Sequence, residues 1–440
     1  MHSGTKHFPH KWIRSANERT AWRYKGSGKQ TPSRKSKAPL EAQTRLLLTV
    51  HGLVAAANAL SGTFVNVYLW KARQDFTLIG WFTLIHHLTM AVTFWMAGKW
   101  VKEHNKMNCL RAGVAVSALF YLTVLWAGER AADFFILLGV IQGMSAGLFW
   151  LAFNVVYFEV TDPDNRDRFN GWAGLLGAGA GMIAPWISGF LIVHMKQTNG
   201  YRLIFTISLI VFVIGVVFSF FLKKRKAEGH YEWFLTIRCL RQKSTAWRTV
   251  SLALVAQGIR EGVFGFMIAL LVYVHTGSEM KLGNFSLISS AVSFVSFLIA
   301  GRLLKNKNRR GAMFFGALMI VLILVPFFWK VNFTTLLIFG IGAGLFFPLY
   351  SIPMTSSVFD LIGKNPDSVK QREEYIVLRE LMLNIGRILG TAVFIIVASN
   401  STAPAVMNWL LFGIGCSPLV SWFFMSRDAL KKQAVKAAKP

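Results

Sequence analysis

The sequence predicts an all-α membrane protein with twelve transmembrane helices in two six-helix halves. Three observations predict it. Apolar runs long enough to cross a bilayer recur twelve times. The charged fraction is only 15% against a hydrophobic fraction of 54%, yet the net charge is +28. The first half of the apolar region also matches the second at a nearly fixed offset.

A span needs about 20 mostly apolar residues to cross roughly 30 Å of hydrocarbon. By that measure the first half holds spans 46–70, 77–98, 110–127, 134–158, 171–194 and 202–222. The second half holds 249–274, 283–303, 312–329, 334–358, 375–398 and 405–425. The domains follow: a disordered basic tail over 1–45, a six-helix half over 46–222, a linker over 223–248, a second half over 249–425 and a basic tail over 426–440.

Basic residues set the orientation. With the N-terminus inside, 38 of the 48 Lys and Arg fall in inside segments and seven in outside loops. Cytoplasmic loops of membrane proteins carry such an excess. The expectation is a multi-pass protein of the cell membrane with both termini in the cytoplasm. The basic residues lie in clusters between apolar runs, which argues against a nucleic-acid partner. The polybasic tail could lean on anionic membrane lipid. Residues 1–45 hold no apolar core of signal-peptide length.

Within the linker, Lys223-Lys224-Arg225-Lys226 stops the sixth span. Trp233, Phe234, Ile237 and Leu240 then recur at helical spacing, with Arg238 and Arg241 between them. The pattern predicts an amphipathic helix on the cytoplasmic interface. Cys109, Cys239 and Cys416 are isolated, so neither disulfide nor zinc site is expected, and no metal or other cofactor is implied. No HExxH and no Walker A motif supports catalysis.

The repeat is specific. Gly62 and Gly265 lie 203 positions apart, as do Gly80 and Gly283, Gly98 and Gly301, Lys102 and Lys305, Asn105 and Asn308, and Gly113 and Gly316. After a short change of offset, Gly143 aligns with Gly340, and Gly147-Leu148-Phe149-Trp150 with Gly344-Leu345-Phe346-Phe347. Glycines at these places permit close helix approach.

On these features the chain resembles the major facilitator superfamily over roughly 46–425, through three degenerate signatures. In the loop after span two, Gly98, Lys102, Glu103 and Lys106 stand where the family has Gly, Asp, Arg and a basic residue. The second copy supplies Gly301, Lys305 and Arg309. A charge-swapped Lys102–Glu103 pair is expected there. In span four, Gln142-Gly143 match the family's Arg-x-x-Gln-Gly, but Gly139 replaces the Arg linked to proton transfer. In span five, Gly171, Ala180, Ala184-Pro185 and Ser188-Gly189 follow the spacing of antiporting exporters. The run Gly177-Ala178-Gly179-Ala180-Gly181 reads as helix packing rather than a phosphate loop.

The resemblance implies a secondary transporter working by alternating access. It exports small, partly apolar molecules, with proton coupling left open. An importer or lipid flippase on the same fold is the alternative reading. The expected oligomeric state is a monomer.

Ionisable groups at mid-bilayer are costly and usually face a cavity or a partner. Arg260 and Glu261 in span seven and Arg387 in span eleven meet this description. Glu380 and Asn384 share a helix face with Arg387, being spaced by four and three residues. Arg379 is expected to point elsewhere. The expectation is that Arg260 and Arg387 attract an anionic or zwitterionic substrate and that Glu261 carries protons, against the alternative of a structural ion-pair network. Asn58, Asn66 and Gln142 are further polar candidates. His86 and His87, being adjacent, are expected on different faces. Tyr68, Trp70, Phe149, Trp150, Phe153 and Tyr157 could form an aromatic wall.

Overall fold

The computed structural model describes residues 41–160, 163–195, 198–223, 229–241, 246–304, 306–363 and 370–427. The tail before residue 41, most of the stop sequence at 224–226, Lys305 and the residues after 427 lie outside them. Among the described residues there is no strand. Six helices precede the linker: α1 (Ala42–Arg73), α2 (Phe76–Glu103), α3 (Lys106–Ala127), α4 (Phe135–Val160), α5 (Pro163–His194) and α6 (Thr198–Phe220). The linker carries α7 (Leu235–Arg241). Then follow α8 (Ala246–Thr276), α9 (Glu279–Leu303), α10 (Arg309–Leu322), α11 (Phe333–Ile362), α12 (Arg372–Asn400), α13 (Pro404–Gly415) and α14 (Ser417–Arg427).

Each predicted span has its helix. Lys106–Tyr157 is an almost continuous helical stretch of 52 residues. At about 1.5 Å per residue it would be more than twice the hydrocarbon thickness. It is broken at Gly128, whose φ of 54° begins a 3-10 turn over Gly128–Phe134. A positive φ suits glycine, which has no Cβ to clash. The stretch is therefore two crossings. The third span starts earlier than expected, at Lys106. The ninth is an α-helix of only 14 residues, extended by a 3-10 turn at Val325–Phe328.

Span twelve holds a break the hydropathy did not show. It divides into α13 and α14 at Cys416, because Pro418 donates no backbone N–H. Cys109, one residue before the predicted third span, is buried within α3.

Tight loops are fixed by capping. The Asp75 carboxylate accepts from the Thr77 N–H at 2.7 Å. Asn105 accepts from the Met107 N–H at 3.1 Å, and Ser278 from the Lys281 N–H at 3.3 Å. Asn332 and Thr335 form a reciprocal capping box. Such caps satisfy donors that a helix start leaves free.

Packing repeats along the chain. In the first set α1 contacts α5 and α6, α2 contacts α4, and α3 contacts α4 and α6. In the second, α8 contacts α12 and α14, α9 contacts α11, and α10 contacts α11 and α14. The pairs α2–α12 and α5–α9 join the two sets. The aligned glycines meet equivalent neighbours. A Cβ on Gly143 would lie 2.3 Å from the His86 carbonyl oxygen, and one on Gly340 2.3 Å from the Ser289 hydroxyl. His86 and Ser289 are themselves 203 positions apart.

In the linker, α7 has seven residues and buries Leu235 and Cys239. Phe234 and Ile237, half of the predicted apolar stripe, are exposed. That leaves them free to meet lipid.

Candidate central cavity and its gates

The closest helix contact in the second set forms the floor of the site. At Gly258 and Gly262 of α8 a Cβ would lie 2.1 Å from the Leu383 and 2.4 Å from the Arg387 carbonyl oxygens of α12. Gly386 and Gly390 return the contact, at 2.0 Å from the Val255 and 2.3 Å from the Ile259 carbonyls. Only glycine allows backbones this near. The approach carries Arg387 onto Glu261. The Arg387 guanidinium donates through Nη2 at 2.8 Å and Nε at 3.2 Å, both to Glu261 Oε2. Gln257 donates to the other Glu261 oxygen at 2.7 Å.

Arg387 also donates to Asn384 Oδ1 at 3.3 Å and lies 4.0 Å from Glu380. Glu380 pairs chiefly with Arg379. This corrects two expectations. Arg379 does not point away from Glu380 but pairs with it, and its guanidinium also lies over the Phe359 ring. Arg387 does not present a free charge, because Glu261 compensates it. Among the described residues Arg260 has no carboxylate partner. Its guanidinium lies over the rings of Phe264 and Phe347, 4.7 and 5.6 Å from their centroids, and its Nε is buried without an acceptor.

Two cavities meet at this point. One, of about 200 Å³, is lined by Asn66, Thr83, His86, His87, Gln142 and Glu261, with Gly62 and Gly265. The repeat-related Gly62 and Gly265 thus face one space from α1 and α8, and neither would find an atom within 4 Å of an added Cβ. His86 and His87 both line it, contrary to the expectation of different faces, since a step of about 100° between neighbours still fits within a wide helix face. The imidazole Nδ1 atoms of both and Asn66 Oδ1 lack partners. Asn58 lines neither cavity.

The second cavity, of about 440 Å³, lies between α8, α9 and α11. Its wall holds Arg260, Glu261, Ser289, Ser290, Ser293 and several phenylalanines. The sequence reading missed the serines and these aromatics. The repeat held the signal: Ser289 and Ser290 occupy the positions 203 after His86 and His87. Of the aromatic residues that could form a wall on α1 and α4, Phe149 and Phe153 stack at 5.7 Å and Phe153 stacks on His51 at 4.8 Å, while Tyr68 lines a separate cavity with Lys71 and Tyr201.

Ion pairs join α2 to α12 and α1 to α9 near opposite ends of the bundle. At the end bearing the short basic loops, Lys102 of α2 pairs with Glu374 of α12, their side chains only 5% and 1% exposed. Lys102 also donates to the Lys370 carbonyl at 3.2 Å. Lys102 therefore does not pair with Glu103, because Glu374 reaches it across the helix interface. Glu103 instead accepts from the Tyr231 N–H at 2.9 Å and meets His230 and Lys99. Tyr231 sits against Gly98, where a Cβ would come within 2.5 Å of its hydroxyl. Burial pushes the Tyr231 hydroxyl pKa up. Glu232 donates its N–H to Glu374 and accepts from Gln371, so the linker braces both helices.

Lys106 is buried at the start of α3. Arg309 pairs with Asp360 at 2.7 Å, and Gly301 faces open space. Lys305 lies outside the described residues.

At the opposite end Lys71 of α1 pairs with Glu279 of α9 at 2.9 Å, and the Tyr201 hydroxyl donates to the same carboxylate oxygen at 3.1 Å. Here Gly189 of α5 approaches the Glu279 carbonyl and Gly283 of α9 approaches Pro185, each within 3 Å of an added Cβ. Gly171 lies in the same helix, toward the basic end.

Residues 47–366 match the Major Facilitator Superfamily. The chain belongs to that family. It is accordingly an integral membrane transporter and not an enzyme. It is 40% identical over 379 residues to the uncharacterized protein YqgE of Bacillus subtilis (strain 168), covering 86% of this chain and 88% of that protein. It is 41% identical over 160 residues to an uncharacterized protein in the sodM 3' region of Geobacillus stearothermophilus, covering 36% of this chain and 75% of that one. The fold is similar to a D-xylose–proton symporter, with a TM-score of 0.67 at 12% identity, over 87% of this chain and 96% of that one. It is also similar to an inward-facing bacterial homologue of the iron transporter ferroportin, with a TM-score of 0.62 at 16% identity, over 90% and 100%. Among the described residues no cluster of three His, Cys, Asp or Glu side chains could hold a metal ion.

Proposed function

We propose that this member of the major facilitator superfamily exports small, partly apolar molecules through the central cavities, by alternating access of two six-helix halves, 46–222 and 249–425. The carrying observation is that the two cavities share Glu261 and Gly265 between gates built from ion pairs. A pathway with a shared centre and a closable contact at each end is what alternating access requires. The basic clusters support a cell-membrane protein with both termini in the cytoplasm, and nothing in the reading needs more than a monomer.

Proton coupling, on this reading, runs through Glu261. Protonation would release Arg387, whose next carboxylate is Glu380 at 4.0 Å. The ion pair could then exchange partners as the halves rock. A thermal-shift screen of the purified protein against metabolites and drugs identifies ligands, since a bound ligand raises apparent stability. Flux of each ligand into proteoliposomes, with and without an imposed pH gradient in either direction, then reads substrate, direction and coupling. Ligands that bind but never cross under any gradient would overturn the transport reading.

A further inference from the structure

We infer that the cavity between α8, α9 and α11 is a binding site for a small organic monoanion with an apolar or aromatic body. This deepens the transport reading and rests on it. The first observation is charge. Arg260 and Glu261 line the cavities, and Arg379, Glu380 and Arg387 are the charged groups linked to Glu261 by ion pairs beside them; among these described residues one positive charge is in excess. Arg379 pairs with Glu380, and Arg387 with Glu261. The excess charge is therefore localised on Arg260.

The second observation is the pair of unsatisfied donors. Arg260 Nε and Ser289 Oγ are both buried without a hydrogen-bond partner, and both residues line this cavity. An unpartnered buried donor is costly, and a lone cation in the membrane interior more so. Both would be satisfied by one acceptor group bearing one negative charge. Glu261, the neighbouring carboxylate on the same wall, makes no hydrogen bond to Arg260, and its oxygens accept from Arg387 and Gln257 instead.

The third observation is the rest of the wall. Phe264 and Phe347 hold the guanidinium by its face, which leaves its N–H edge for the ligand. Phe285 and Phe339 extend the apolar surface. A volume of about 440 Å³ suits a compact organic molecule. A strongly hydrated dianion would leave a charge uncompensated, and a cation would meet Arg260 directly.

The test uses the full chain in detergent and an isosteric series of probes: benzoate, benzenesulfonate, benzamide and benzylamine. Benzoate and benzenesulfonate should raise the melting temperature, and the neutral and cationic probes should not. Arg260→Met should weaken benzoate binding by about tenfold or more, because a charge-assisted contact is lost. Arg260→Lys should weaken it less, and Ser289→Ala should weaken it by a few-fold with every charge retained. If Arg260→Met does not fold, the lysine and alanine variants carry the decision, since each is a mild change in the cavity wall.

Equal binding of benzamide or benzylamine overturns the inference, as does unchanged benzoate affinity in both Arg260→Lys and Ser289→Ala. Flux of an uncharged solute that is unchanged by Arg260→Lys, with no benzoate binding, sinks the anion assignment and leaves the transport reading standing. Arg260-dependent benzoate binding supports the site whatever the flux measurement gives.

Discussion

Lys102→Met probes the gate at the basic end most directly. The substitution keeps the aliphatic length and removes the ammonium. Glu374 is then left with a carboxylate 1% exposed and the Glu232 N–H at 3.2 Å as its remaining donor. Removing one partner of a buried ion pair costs about 3–5 kcal/mol, because the other charge stays desolvated. That cost applies only while α2 and α12 are together. Once their ends separate, Glu374 meets water and the penalty disappears. The balance between closed and open ends should therefore shift by about two orders of magnitude or more, at 1.4 kcal/mol per tenfold. Spin labels at His104 and Lys370, both exposed, read the separation by pulsed electron resonance in lipid nanodiscs. The single variant should gain a population at longer distance. The double variant Lys102→Met/Glu374→Leu should return to one short distance, since an apolar pair of similar volume replaces a buried ion pair at little cost. An unchanged distance distribution in the single variant, with an unchanged melting temperature, would refute the reasoning.

Three further outcomes are expected. Gly386→Ala places a Cβ 2.0 Å from the Val255 carbonyl and should destabilise the protein by at least about 1–3 kcal/mol through overpacking, while Gly174→Ala, with no atom within 4 Å, should melt like the parent. Glu261→Gln removes the charge that holds Arg387; gradient-driven flux should be lost with ligand binding largely retained, and normal coupled flux in a stable variant would take Glu261 out of the mechanism. A cysteine at Phe234, which is exposed on the linker, should react in intact cells with a permeant maleimide and not with an impermeant one; rapid labelling by the impermeant reagent would reverse the proposed topology.

The spans were legible because hydrocarbon thickness imposes a length on each crossing, although the ninth meets it only with an added 3-10 turn and the twelfth only as two successive helices. The partners of the charges were not. Glu374 falls one residue before the predicted start of span eleven and reads as a loop carboxylate. It is buried only because α12 begins at Arg372 and lies against α2. Glu261 and Arg387 are 126 residues apart, and no local spacing relates them. Their meeting depends on four glycines that let α8 and α12 touch. Each charge was visible as a mid-bilayer anomaly, but which arginine would stay unpaired is a property of packing. Ser289 and Ser290 were within reach of the sequence, had the repeat been read for what replaces the two histidines as well as for what matches.

Close approaches along the two joining helix pairs bear on how the site is reached. Pair α2–α12 touches near both ends, through Gly80 with Phe394 and Ile395, and through Lys102 with Glu374. Pair α5–α9 touches at Gly189 with Glu279 and at Pro185 with Gly283, and last at Gly181, whose carbonyl accepts from Ser290 at 3.1 Å. Gly181, Pro185 and Gly189 recur every four residues, so they mark the α9-facing side of α5. Gly177 and Gly174 continue that side toward the basic end, yet neither finds an atom within 4 Å of an added Cβ. The close contacts of α5 with α9 are thus those at Gly189, at Pro185 with Gly283, and at Gly181 through Ser290. Ser290, which makes the contact with Gly181, is also part of the wall around Arg260. The wall around the unpaired guanidinium is thus tied to α5 through Ser290, so a change in the α5–α9 contact would be felt at the proposed anion site.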